Sequence, residues 1–306
     1  MSATRASKAR VSVAGSGARP GPRPGSSAGW ILSSPLLVFV LGIVLFSVVY
    51  GVVLSLQHRT VFDPEVTWTG LRNFGHVLAD RAFWQSSWFT IQYSVIVTVI
   101  EIVLGVALGL FFNRTFPGKR ILFLATILPI TIAPALIAVM FRLITNENIG
   151  AVPAILQNFG LDISLYSPGS VVPLLVVLDV VHWTPFVFLI VYSGLQSFPE
   201  EIREAARVDG ASNWQITWRI VLPLIKPVLF AATFLRFVDT VRTFDVIYVL
   251  TGGGPGTATE TISIYIFKKA FEDGNFGVAA AAGVIMLTVM LPFIPLLVRK
   301  LGRAEN

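Results

Sequence analysis

Six apolar runs, each about as long as a bilayer is thick, constrain this chain first. They cover Trp30–Leu56, Phe89–Phe112, Ile121–Leu143, Val171–Leu195, Pro227–Leu250 and Phe276–Val298. A helix needs about 20 mostly apolar residues to cross the hydrocarbon core. In lipid every backbone N–H and C=O must be satisfied internally, so such runs cross as helices. The expected fold class is therefore an all-α integral membrane protein with six transmembrane helices. Pro129, Pro134, Pro173, Pro185, Pro292 and Pro295 fall inside the runs. They are expected to sit within the spans, where neighbouring helices re-satisfy the freed backbone groups. Composition agrees. Only 13% of the 306 residues are charged and 54% are hydrophobic, against about 25% charged in soluble domains.

Lys and Arg divide unevenly between the two sides. Fifteen fall before Trp30, in the loop at 113–120, in the polar stretch and its exit, and after Val298. Five fall in the alternate loops: Arg59, Arg72, Arg81, Lys268 and Lys269. The positive side faces the cytoplasm, so both termini are expected there, in a multi-pass membrane protein. The net charge of +6 then reflects orientation against lipid and not binding to nucleic acid. Residues 1–29 have no apolar period and read as a disordered basic cytoplasmic tail. Residues 301–306 read as a second cytoplasmic tail. A cleaved signal peptide is the competing reading of the N-terminus, but the first apolar run is too long for one and no small-residue cleavage site follows it. With no Cys and three His, no metal site is expected. The outer loops, about 57–86, 144–170 and 251–275, are too short to form a substantial domain. A dilute solute would have to be captured by another protein.

One polar stretch interrupts the second half: EEIREAARVDGASNWQITWRIVLP, residues 200–223. It reads as two short helices at the cytoplasmic face. Pro199, Glu200 and Glu201 suit a helix start. Ile202, Ala205, Ala206 and Asp209 share one side, and the small residues would let another surface approach. Asp209-Gly210 is a stop signal. Ser212 is a candidate N-cap for the second helix, in which Trp214, Trp218 and Val221 share a face. Leu222-Pro223 marks the break before the chain re-enters the membrane.

Glu204-Ala205-Ala206, then Gly210, Ile220 and Leu222-Pro223, resemble the "EAA" signature of permease subunits of bacterial ABC importers, and every signature position matches. The resemblance implies that the loop at 197–224, with Asp209 beside the signature, docks into a cytoplasmic ATPase and couples its motion to the spans. The resemblance covers about 33–300. His182-Trp183-Thr184-Pro185-Phe186 and the run from Arg242 through Thr251-Gly252-Gly253-Gly254-Pro255 look like the carbohydrate-uptake permeases related to the maltose transporter. That similarity implies a six-helix transmembrane domain over 30–300. It also implies a second homologous permease, two copies of an ATP-binding subunit that hold ATP and Mg, and an extracytoplasmic solute-binding protein.

Arg236, Asp239, Arg242 and Asp245 alternate in sign at intervals of three within the fifth run. Ionisable groups at mid-bilayer cost about 2.5–3.5 kcal/mol on insertion scales, so they must face protein or water. Two readings stand. The ladder is a structural device, or Arg242, Phe244, Asp245 and Tyr248 line a path for a hydroxyl-rich solute. The resemblance favours Asp245 and Tyr248 as lining. Glu101 is a lone acid expected to meet another subunit or an Arg such as Arg142. His182 reads as a packed, hydrogen-bonded side chain, and Gly252–Gly254 as a flexible turn with close backbone approach. No phosphate-loop motif and no catalytic constellation is present, so the chain is expected to be a permease and not an enzyme. The solute is a sugar, a di- or oligosaccharide, with glycerol phosphate or another polar solute as the alternative. A secondary transporter is disfavoured because the chain shows no internal repeat.

Overall fold

The computed structural model describes residues 27–61, 63, 65–197, 199–292 and 295. The expectations for residues 1–26, for positions 293, 294 and 296–298 at the end of the sixth run and for 301–306 lie outside these residues. The chain divides into two compact units at Tyr50/Gly51. The first contains most of α1 (Ser27–Ser55). This helix begins at Ser27, three residues before the expected span. Its described side chains from Leu36 to Phe46 are apolar and exposed almost throughout, the pattern of a lipid-facing helix.

The second unit is a helical bundle. After α1 come a short antiparallel pair, β1 (Gln57–His58) and β2 (Thr67–Trp68), and then α2 (Arg72–Ala79). Asp80 then caps α3 (Arg81–Phe112) by accepting from the Ala82 N–H, so this helix starts eight residues before the predicted span. The third run departs from expectation. It is α4 (Lys119–Ile127), a 3-10 turn at Leu128–Thr131, and α5 (Pro134–Ile144), bent by 101°. Proline lacks an N–H and drives the preceding residue out of the helical region. Ile132 (ψ 137°) and Ala133 (ψ 139°) are accordingly extended, so Pro134 breaks the span it was expected to occupy. By contrast α7 (Val171–Gln196), after the short α6 (Ala151–Asn158), runs unbroken through Pro185.

The polar stretch forms α8 (Glu200–Val208), α9 (Asn213–Ile216), a π-helical turn at Thr217–Val221 and α10 (Leu222–Leu224). The chain breaks at Ile225, two residues after the expected Leu222-Pro223, and bends by 65° into α11 (Lys226–Val241). The fifth run is itself interrupted: α11 ends at Val241 and α12 (Asp245–Thr251) begins after three non-helical residues. Then follow α13 (Ile262–Phe267), a π-helical turn at Lys268–Glu272, and α14 (Phe276–Met290). Among the described residues three helices are long and apolar enough to cross a membrane, Leu32–Ser55, α3 and α7; the two bent pairs raise the number to five.

The pair α3 and α7 is the most extensive contact in the bundle, and small residues permit it. A Cβ on Gly105 would lie 2.5 Å from Val187 Cγ1, and one on Gly109 would lie 2.9 Å from Val191 Cγ1. Backbones approach this closely in membranes only across small residues. The Gly252–Gly254 turn shows the close approach expected of it, since a Cβ on Gly253 would lie 3.5 Å from Glu260 Cα, and it carries its own hydrogen bonds. Thr259 donates its N–H to Gly253 O at 3.1 Å and its hydroxyl to Gly254 O at 2.7 Å.

At the far end of the bundle from the polar stretch, Asp80 also accepts from Tyr265 Oη at 2.9 Å and faces Lys269. Burial pushes its carboxyl up, but the Ala82 N–H, the Tyr265 hydroxyl and Lys269 outweigh that and hold it below its ordinary value. Its contribution to stability is therefore full above the ordinary carboxylate range and is lost as pH falls through the lowered value.

Gly105→Ala is expected to lower the Tm of the detergent-solubilised assembly by an amount equivalent to about 1–3 kcal/mol of overpacking. Gly283→Ala, where an added Cβ meets nothing within 4 Å, should leave it unchanged. Differential scanning fluorimetry of the two variants separates them.

Candidate functional site

Arg236 sits at the centre of the second unit with 1% of its surface exposed. Its guanidinium is satisfied by three carboxylates from three helices. Nε and Nη2 donate to Glu101 of α3 at 2.6 and 2.9 Å. Nη2 also donates to Asp179 of α7 at 2.5 Å, and Nη1 to Asp239 of α11 at 3.1 Å. Tyr93 Oη donates to the other Asp179 oxygen at 2.8 Å, and the Trp183 ring lies 4.9 Å from the guanidinium carbon. The rigid fork of guanidinium donors suits such a multidentate site. Glu101 thus meets an Arg, as expected, but the Arg is Arg236 and not Arg142. Arg142 instead donates to Val249 O at 3.2 Å. Sequence reasoning passed over Asp179, although an acid three residues before His182 in an apolar run was signal enough. His182 is buried, and its Nε2 donates to Ile132 O at 3.1 Å. It thereby satisfies a carbonyl freed by the break between α4 and α5.

The charge ladder divides in two. Arg236 belongs to the buried hub. Asp239 also faces outward and pairs with Arg242 at 3.0 Å, whose side chain is 71% exposed. Asp245 is exposed and lies beyond the break at 242–244, so it is not the next rung of one helix as the spacing suggested. Phe244 and Tyr248 stack at 5.0 Å and 16° beside these groups. The structure thus brings Arg242, Phe244, Asp245 and Tyr248 to one stretch of surface.

The polar stretch folds by its own signals. Gly210 (φ +82°) closes α8. Its N–H bonds Arg207 O at 3.0 Å and the Ala211 N–H bonds Ala206 O at 3.0 Å, the paired bonds of a Schellman motif. Ser212 and Gln215 then form a reciprocal capping box that starts α9. Signature residues part by face. Ala206 is buried with Ile216 and Val221 against Val187, Val191 and Leu195 of α7, and Ile220 and Leu222 pack on the same cluster. Glu204, Ala205, Asp209, Gly210 and Pro223 are exposed. Trp214, Trp218 and Val221 line one cavity of about 630 Å³, also bounded by Arg114, Arg203 and Arg207. The π turn nevertheless parts them: Val221 is buried while both indoles stay exposed.

The family model described as "Binding-protein-dependent transport system inner membrane component" matches residues 101–304. The chain belongs to this family. It is 35% identical to the trehalose/maltose transport system permease protein MalF of Thermococcus litoralis, over 90% of this chain and 93% of that one. It is 29% identical to the trehalose transport system permease protein SugA of Mycobacterium tuberculosis, over 90% and 89%. A chain from the crystal structure of a bacterial alginate ABC transporter, in complex with an alginate pentasaccharide-bound periplasmic protein, aligns with TM-score 0.76. That alignment covers 88% of this chain and 93% of that one at 22% identity, which fixes the fold. The chain is thus a multi-pass membrane component with the fold of ABC transporter permeases.

Removing one partner of a buried ion pair typically costs 3–5 kcal/mol. Arg236→Gln, which leaves Glu101 and Asp179 facing each other, should abolish the detergent-stable assembly, and Arg236→Lys should restore little of it because ammonium cannot span three carboxylates. Yield on size-exclusion chromatography reads both.

Proposed function

We propose that this chain is the transmembrane permease subunit of an ATP-driven importer that moves a sugar, a di- or oligosaccharide, across the cytoplasmic membrane. The similarity to trehalose and maltose permeases over nine-tenths of the chain supports the solute class. The observation that carries the coupling role is the two-faced signature. Glu204, Ala205, Asp209 and Gly210 face out while Ala206, Ile220 and Leu222 are rooted in the base of α7. The reading takes six passes with both termini inside. It includes a second homologous permease, two ATP-binding subunits that hold ATP and Mg, and an extracytoplasmic solute-binding protein. The chain contributes no hydrolytic chemistry of its own.

The contacts suggest how force travels. A push on the exposed face of α8 reaches α7 through Ala206 and its apolar neighbours. Asp179 of α7 grips Arg236, which grips Glu101 of α3. Six residues beyond Arg236 the polypeptide leaves α11 at Arg242 and turns into Phe244 and Asp245. A tilt of α7 is thus passed to the exposed charged and aromatic groups by a packed, hydrogen-bonded chain, the physical kind of coupling that two-state elements require.

Glu204→Lys and Gly210→Pro should insert and assemble normally yet uncouple the partners. ATP-dependent uptake of labelled disaccharide into proteoliposomes falls about tenfold or more for loss of a cap and its charged contact face, while ATP hydrolysis loses its response to solute. Uptake and solute-stimulated hydrolysis at wild-type levels in both variants would remove the coupling role. Uptake of a polyol phosphate in preference to any sugar would replace the solute class.

The chain has no Cys, so single replacements report sidedness directly. Ser212→Cys should react with a membrane-impermeant maleimide only in opened cells, and Thr257→Cys in intact spheroplasts. The reverse pattern would invert the topology.

A further inference from the structure

Five aromatic side chains from four different segments form a continuous, partly exposed strip. Phe244 and Tyr248 each touch Phe267, with ring centroids 5.0 and 4.9 Å apart. Phe267 touches Phe271 at 5.0 Å, and Phe271 meets Phe276 edge-on at 6.4 Å and 88°. None of the five is buried, and Phe271 is 70% exposed.

The direction of the strip follows from its neighbours on α3. The Ile262 N–H donates to Thr90 Oγ1 at 2.9 Å, while Tyr265 Oη donates to Asp80 at the start of α3. Between those two anchors α3 rises about 15 Å. The helix α13 therefore climbs from the level of Thr90 to the end of the bundle, and Phe267, Phe271 and Phe276 follow. Ser263 Oγ bonds Arg242 O at 3.2 Å, so the inner end of the strip begins beside the charged patch.

We propose that Phe276, Phe271 and Phe267 form an entry track for the rings of a sugar, leading from the outer rim to Phe244, Tyr248 and the charged patch. This rests on the solute class and orientation argued above. A pyranose has apolar C–H faces and hydroxyl edges. Aromatic rings accept the faces, and a few polar groups at the sides take the hydroxyls. The strip is flanked in that manner. Arg242, Asp239 and Asp245 stand at one end and the exposed Glu272 and Asp273 at the other. At the inner end, Arg242, Asp239 and Asp245 also argue against lipid as the occupant, because ionised side chains at membrane depth face protein or water. The backbone is shaped for the purpose. Phe271 lies in the π-helical turn Lys268–Glu272, a rare form that recurs at functional sites. The turn is held by Lys268 to the buried Glu260 at 2.7 Å and by Lys269 to Asp273 at 3.0 Å. Neighbouring rings stand about one ring apart, so a solute can contact the next before leaving the last.

The test is a side-chain series at Phe271 in the full assembly in proteoliposomes, with solute delivered by the loaded binding protein. Phe271→Leu keeps the bulk but removes the ring. It is expected to cut uptake at limiting solute about fivefold, the scale of one ring contact, with the yield of complex and solute-free ATP hydrolysis unchanged. Phe271→Trp is expected to retain uptake. Phe271→Cys should react with an impermeant maleimide more slowly when the solute is present. Wild-type uptake in Phe271→Leu would overturn the track and leave the strip as a lipid-facing belt. Loss of the second permease from the purified complex would instead make it a subunit contact. Tyr248→Ala separates this from the underlying reading. If it lowers uptake while Phe271→Leu does not, the solute path stands and the track falls. If neither matters, both fall.

Discussion

Everything in the second unit is organised around the guanidinium of Arg236. Three helices that lie far apart in sequence are joined at one point by a charge that no lipid could neutralise. A buried ion pair is weak evidence for extra stability, but it is strong evidence for specificity here. An apolar contact among α3, α7 and α11 could slide by a turn, whereas the bidentate grip on Glu101 at 2.6 and 2.9 Å cannot. The close approach of α3 to α7 across Gly105 and Gly109 fixes the same register by shape. Charge and packing thus agree, as they must for one arrangement to be favoured over its neighbours.

The broken helices are the complement of this rigid centre. Between α4 and α5, and between α11 and α12, the backbone leaves the helix and exposes carbonyls that something must satisfy. His182 takes one at Ile132, and Ser263 and Thr261 take those of Arg242 and Thr243. Irregular backbone at membrane depth is tolerated only where protein or a water-filled cavity covers it. The second break therefore coincides with the exposed charged and aromatic groups for a physical reason. A helix end frees polar atoms, and polar atoms draw a polar surface.

How much of this was legible in the sequence depended on the range of the cause. The polar stretch was readable nearly residue by residue, because Gly210, Ser212 and Gln215 act on their immediate neighbours. The signature itself pointed to the permease family. The limits of the apolar runs were less reliable. Asp80 extended α3 because a cap was available outside the bilayer-length window, and Pro134 broke α5 while Pro185 left α7 whole. The same residue gave opposite outcomes according to what packed around it. Of the partners of Arg236 only Asp239, the next rung of the ladder, was legible. Nothing local links Glu101 or Asp179 to a residue 135 or 57 positions away, so the ladder spacing drew attention to Asp245 and away from both. The division of the signature into a buried and an exposed face was hidden for a related reason. Ala205 and Ala206 are identical residues, and only the base of α7 distinguishes them.

The span between Glu101 and Arg236 also bears on biosynthesis. Translation proceeds at about 5–20 residues per second, so the 135 residues between them take roughly 7–27 s to make. During that interval α3 has left the ribosome with its acid while the counter-ion does not yet exist. The cost of an unpaired carboxylate in lipid falls on the newly made chain. Early α3 must therefore keep Glu101 toward water or the insertion machinery until α11 brings Arg236, because the acid of α7 cannot serve as its counter-ion. The hub that locks the finished bundle sets the order in which the bundle can be built.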